Sequence, residues 1–170
     1  MNRVIATMTV QQFEEQYGGL KPYFEYWFAE PVQKTMPTWV HSMLQKMIMR
    51  LLDDAGYESG AELRLKTSSE FQPLPDVSAV LLGRVELPYP TEPVDIVVEI
   101  LSPDDNLAKV VAKCQCYADM RIPQIYVVDP ESREVLRWQQ DRLTPREFLA
   151  TVPASAIWSE LDRRIRSKSE

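Results

Sequence analysis

Two acidic residues stand in apolar surroundings where a carboxylate is costly. Asp76 follows Pro75 at the head of "PDVSAVLL", and Glu99 lies inside the aliphatic run "VDIVVEIL", residues 94–101. If both reach one partly buried place they repel, and neither stays ionised cheaply without a compensating charge. A divalent cation is the natural compensation. Mg²⁺ takes oxygen ligands and keeps several waters, so Asp76, Glu99 and the backbone carbonyl of Ile100 would leave room for water and a phosphate oxygen. The chemistry of such a centre is metal-assisted hydrolysis of a phosphodiester, with a neighbouring cation offsetting the charge of the transition state.

The surrounding elements must bring these residues together. Side chains alternate along a strand, so Val94, Ile96, Val98 and Ile100 share one face while Asp95, Val97, Glu99 and Leu101 share the other. "PDVSAVLL" reads as a second strand with Asp76 and Ser78 on one side, and "AELRLKTS" as a third. Adjacent strands could thus pair Asp76 with Glu99. Immediately downstream, Ser102, Pro103 and Asp105 resemble an N-cap, a first-turn proline and a capping-box acid, which predicts a helix from Pro103 to about Met120.

Elsewhere, "TVQQFEEQYGG" predicts a short helix capped by Thr9 and stopped by Gly18 and Gly19, and "YFEYWFAEPVQKT" an extended hairpin with its tip near Ala29. From Pro37 to Ala55, the residues Val40, Leu44, Met47, Ile48, Leu51 and Ala55 form one face of a helix ended by Gly56. The strands "QIYVVD" and "EVLRWQQD" follow the second long helix, and a last helix starts near Ala154. This order predicts an α/β or α+β fold, one sheet with helices packed on it, in a single domain spanning residues 1–170.

Composition narrows the function classes. With 45% hydrophobic and 26% charged residues, the chain is neither disordered nor membrane-embedded, and no apolar run reaches spanning length. The start lacks the basic region and apolar core of a signal peptide, so a cytoplasmic location is expected. Cys114 and Cys116 point apart on a helix and read as reduced thiols, and the single histidine is too distant in sequence to complete a zinc site with them. A net charge of -6 argues against holding nucleic acid by bulk electrostatics, leaving a local site or a recruited cation. The one basic cluster, "DRRIRSK" at residues 162–168, reads as a solvated helix end.

The acids resemble those of the PD-(D/E)XK nuclease superfamily, with Pro75 and Asp76 as its "PD" and Glu99 as its second acid; the lysine expected two residues later is Leu101. A closer resemblance is to a bacterial family of putative restriction endonucleases, long catalogued as a domain of unknown function, whose lysine stands in the following helix. Its motifs are matched in order by "PDVSAV", "VEILSP", "KCQCY" and "RIPQIYVVDP", from about residue 23 to 140. The resemblance implies a restriction-endonuclease-like mixed sheet flanked by helices and Mg²⁺ (or Mn²⁺) as cofactor, with nucleic acid as substrate. It further implies Asp76 and Glu99 as metal ligands and a helix lysine as the third catalytic group. Glu25, Glu30 and His41 match positions in the family's hairpin and first long helix, where Glu25 would assist the metal or place water and His41 would reach the substrate phosphate.

Two lysines compete for the third role. Glu99 lies three strand residues, roughly 10 Å, back from Ser102, while Lys113 and Lys109 lie roughly 15 Å and 9 Å along a helix counted from Pro103. Height admits both; helical phase favours Lys113, on the flank of the stripe Leu107, Val110, Val111, Cys114, Tyr117 and Ala118, with Lys109 turned toward solvent. Taken singly, Asp76 is a turn residue, Glu99 half of a buried ion pair, His41 a hydrogen-bonded core histidine and Asp95 a strand-entry residue. Met43, Met47 and Met49 are core filler or an oligomer contact. Taken together and in the family's order, Asp76, Glu99 and the helix lysine predict a metal-dependent nuclease. The rival from another class is a catalytically silent nuclease fold serving as a protein- or DNA-interaction module, with a homodimer possible in either case and neither a membrane nor a small-molecule cofactor as partner.

Overall fold

A computed structural model describes residues 7–165. Residues 166–168 of the basic cluster lie outside the described part. Helix α1 (Val10–Tyr17) is followed by β1 (Phe24–Trp27), β2 (Glu30–Gln33), α2 (Trp39–Asp54), β3 (Tyr57–Ala61), β4 (Phe71–Gln72), β5 (Val77–Leu81) and β6 (Ile96–Ile100). Then come α3 (Leu107–Asp119), β7 (Gln124–Asp129), β8 (Glu134–Gln139), β9 (Arg142–Pro145) and α4 (Ala154–Arg164). The result is the expected mixed α+β architecture. Six strands form one sheet in the order β3-β5-β6-β7-β8-β9, and a small sheet is ordered β2-β1-β4. Only β6 and β7 pair in parallel in the larger sheet, with α3 as their crossover; its other neighbours are antiparallel. Among the described residues no helix is long and apolar enough to cross a membrane.

Strand alternation divides the core. Ile96, Val98 and Ile100 join Val77 and Ala79 against Leu44, Ile48 and Leu52 of α2 and Ile157, Trp158 and Leu161 of α4. Val97 and Val127 face the other way, onto Val110, Cys114 and Tyr117 of α3 and Phe71 of the small sheet. Met47 is buried beside α2's core face, with Met43 and Met49 packed at its margin. Val94, expected beside Ile96, instead packs on the α3 side. It precedes the first paired residue of β6, so alternation does not govern it.

Three local expectations are corrected. "AELRLKTS" is not a strand: β3 comes earlier and ends at Ala61, and Glu62 takes a left-handed φ of 50° while its N–H donates to the carbonyl of Pro75. Short strand β9 and the two-residue β4 arise where no strand was expected. Helix α3 starts at Leu107, not Pro103, because Asn106 caps it by accepting from the amides of Ala108 and Lys109. The Ser102–Asp105 pair closes a separate turn instead: the Ser102 amide donates to Asp105 Oδ2 at 2.6 Å and the Asp105 amide to the Ser102 carbonyl. Leu107 and Val111, expected on the apolar stripe, are exposed.

Candidate active site

Register places the two acids. Val77 pairs with Val98 in the antiparallel β5–β6 ladder, so one step further puts Asp76 opposite Glu99 on the α3 side of the sheet. Asp76 is thereby fixed at the strand end, where its Oδ2 accepts from the Ile100 amide at 2.7 Å. Both acids are buried and line one cavity of about 60 Å³, together with Glu25, Lys34, Ile100, Leu101, Lys109 and Lys113.

Lys113 projects from α3 into this cavity. Its Nζ lies 2.9 Å from Glu99 Oε1 and 2.7 Å from Glu25 Oε1. The later helix start explains the choice between lysines: Lys113 is six residues along α3 from Leu107, roughly 9 Å, matching the depth of Glu99, whereas Lys109 is only two residues in. Lys109 is exposed, with Nζ 5.5 Å above the Trp27 ring at the cavity edge. One turn beyond Lys113, the Tyr117 hydroxyl donates to Glu99 Oε1 at 2.5 Å. Leu101 lines the same cavity with an apolar group, and the ammonium beside Glu99 comes from the helix.

Glu25 comes from β1 and is pinned by two donors, the Leu74 amide to Oε1 at 2.7 Å and the Trp27 indole to Oε2 at 3.1 Å. The hairpin tip at Phe28 and Ala29, both with positive φ, sets this register: Glu25 faces Val32, as a two-residue loop demands even without glycine. Glu30, the other acid of this segment, is exposed. His41, on the first turn of α2, does not line the cavity; its Nε2 sits 3.2 Å from Asp76 Oδ2, behind the carboxylate. Asp95 also turns away, accepting from the Leu81 amide and Arg84.

The charges follow from burial and pairing. Burial acts to raise the Asp76 pKa, but Lys34 and then His41 outweigh it and hold the carboxyl well below the usual carboxylate range. Glu99 goes the other way: burial pushes it up to about 7, with Lys113 opposing and Asp76 across the ladder reinforcing. Burial disfavours the Lys113 charge, yet Glu25 and Glu99 overcome this and raise its pKa. With Glu99 ionised, three carboxylates face two ammonium groups, which suits a further cation. Among the described residues no three His, Cys, Asp or Glu side chains are arranged to hold an ion by themselves. Mg²⁺ does not require that, since it commonly binds through one or two carboxylates and retains water, and the cavity has room for several waters.

A family model for putative restriction endonucleases, Uma2, matches residues 10–162. The chain belongs to the Uma2 family. A solved structure, a putative nuclease belonging to DUF820 from Anabaena variabilis, shares the fold of this Uma2 protein: TM-score 0.72 at 22% identity, covering 91% of this chain and 99% of that one. A chain of a DrdV–DNA complex is similar at TM-score 0.45 and 12% identity, over 74% of this chain and 12% of its own length. No curated protein matches.

The sequence reading of this Uma2 site missed two groups. Tyr117 stood in view within "KCQCY" but was assigned only to the apolar stripe. Lys34 was overlooked: its Nζ lies 2.8 Å from Asp76 Oδ1 and donates to the Leu74 carbonyl at 2.6 Å. Alternation could have found it. Val32 pairs with Glu25, and Lys34 is two residues on, hence on the same face.

These shifts set a pH dependence. In the unfolded chain Glu99 titrates near 4.5 and in the folded one near 7, so the folded state holds the extra proton in between and loses stability as pH rises through that window. His41, raised from 6.5, has the same sign: its contribution is present below that value and lost above its folded pKa. Asp76 has the opposite sign, but its contribution is lost only as pH falls below 3.8. Urea unfolding should therefore show lower stability at pH 8 than at pH 5.5, by about 2 kcal/mol from Glu99. Glu99→Gln should remove most of the difference. Equal slopes for wild type and variant would remove Glu99 from the account.

Proposed function

We propose that this protein is a Mg²⁺-dependent nuclease that hydrolyses phosphodiester bonds of nucleic acid. The observation that carries the reading is the convergence of Asp76 and Glu99, opposite one another on paired strands, with Lys113 in one small cavity. Asp76, Glu99 and the Ile100 carbonyl would hold the ion. With Mg²⁺ there, phosphodiester hydrolysis gains a polarised phosphoryl group and a water of lowered pKa.

The chain's own groups supply the rest. Tyr117 and Lys113 both donate to Glu99 Oε1, which orients that carboxylate with Oε2 unclaimed among the described residues. Lys113 stands where it can orient water and offset charge developing on the phosphoryl oxygens. Glu25 holds the ammonium from the other side, and His41 fixes Asp76 rather than meeting substrate. Lys109 and Trp27 at the cavity edge offer a cation and an aromatic face to a nucleic-acid strand.

Glu99→Gln is the informative variant, because an amide nitrogen placed at the ε2 position meets no donor while the ε1 oxygen keeps both of its own. Calorimetric titration with Mn²⁺ or Mg²⁺ is expected to show binding to wild type and at least a tenfold loss in the variant. Cleavage of single- and double-stranded DNA and RNA should fall with it. Identical metal binding in the two proteins sinks the proposal; binding without any cleavage favours the silent interaction module.

A further inference from the structure

Asp76 already has its oxygens filled. Oδ2 accepts from the Ile100 amide and faces His41 Nε2, both held by secondary structure, while among the described residues Oδ1 faces Lys34 alone. Lys34 follows the last residue of β2 and reaches Asp76 through a long, flexible side chain. It is the one partner of Asp76 that can leave without moving a strand or a helix.

A second acceptor waits beside it. Glu62 Oε1 lies 4.0 Å from Lys34 Nζ, on a partly exposed side chain. The backbone holds Glu62 there: its N–H donates to the carbonyl of Pro75 at 3.1 Å, at a left-handed φ of 50° that a glutamate rarely adopts. The strained turn therefore keeps a carboxylate next to the Lys34–Asp76 pair.

Resting on the metal-site reading above, we propose that Lys34 is a resident counter-ion on Asp76 Oδ1 that a divalent cation displaces, with Glu62 receiving the released ammonium. Lys34 occupies Asp76 Oδ1 while the site is empty of metal, and sets the affinity threshold for loading it. A cation must compete with the ammonium, so its apparent affinity is reduced by the fraction of time Oδ1 is free.

Mn²⁺ titrations test this on the whole chain. Lys34→Met should bind Mn²⁺ about tenfold more tightly than wild type, whereas Lys46→Met, which removes an exposed lysine of α2, should change affinity less than about twofold. Glu62→Gln should weaken binding in wild type and have no effect in the Lys34→Met background. Unchanged or weaker binding in Lys34→Met overturns the displacement. If wild-type binding is insensitive to Glu99→Gln, the metal site itself fails instead. A crystal of the wild-type protein grown with Mn²⁺ decides without any variant: Lys34 Nζ turned toward Glu62 supports the displacement, and Nζ still on Asp76 Oδ1 beside the bound ion refutes it.

Discussion

Asp76→Asn is expected to destabilise the protein by about 3–5 kcal/mol, the range for removing one member of a buried ion pair. Both oxygens of Asp76 are committed: Lys34 at 2.8 Å on Oδ1, and the Ile100 amide at 2.7 Å with His41 at 3.2 Å on Oδ2. An asparagine amide must put its NH₂ against one of these sets. In one orientation it opposes the Lys34 ammonium; in the other it opposes the Ile100 N–H, which is fixed in β6. Either way a donor meets a donor in a buried place, and Lys34 loses its counter-charge. The melting temperature should drop by on the order of 10 °C, and metal binding should vanish with it. Adding Lys34→Met should recover much of the loss, because the unpaired ammonium is then gone; a double variant no more stable than Asp76→Asn alone contradicts the assignment. The contrast with Glu99→Gln, expected to fold at least as well as wild type at pH 8, would mark Asp76 as a structural anchor as well as the proposed ligand.

That asymmetry was only partly legible in the sequence. Period-two alternation in "PDVSAVLL" and "VDIVVEIL" was sufficient to put Asp76 and Glu99 on the same side of the sheet, since the pairing of Val77 with Val98 is what buries both aliphatic faces. The helix lysine was legible for a similar reason: Lys113 and Tyr117 are one turn apart, on a face that must meet β6 and β7. The start of α3 was not. Ser102 and Asp105 have the residue types of a capping box, but the Asp105 amide donates to the Ser102 carbonyl and not to its hydroxyl, so the pair closes an isolated turn and Asn106 downstream caps the helix. Lys34 was not legible because it lies just past the end of an edge strand and its partner Asp76 is 42 residues away. Local pattern specifies which way a side chain points; it says little about which distant element closes over it. The segment 62–70 shows the same limit, where Arg64 and Leu65 are buried by contacts with other elements and not by strand alternation.

Lys113→Met carries the largest expected loss of activity. Its ammonium bridges Glu25 and Glu99, and methionine fills similar space without charge, leaving two buried carboxylates facing one another. At pH 8, where Glu99 is ionised, the variant should be less stable by about 3–5 kcal/mol. At pH 5.5 the cost should shrink, because Glu99, already pushed up to about 7 by burial, takes a proton more readily still once Lys113 is removed. Millimolar Mn²⁺ should restore part of the stability at pH 8, since a bound cation supplies the missing charge to the folded state alone. Hydrolysis should not return. Even with the metal site saturated, turnover is expected to stay about 10²–10³-fold below wild type, the usual effect of deleting a donor aimed at developing charge. The two readouts separate two roles: metal-restored stability without restored turnover makes Lys113 a participant in the reaction, whereas recovery of both by Mn²⁺ reduces it to a counter-ion for Glu25 and Glu99.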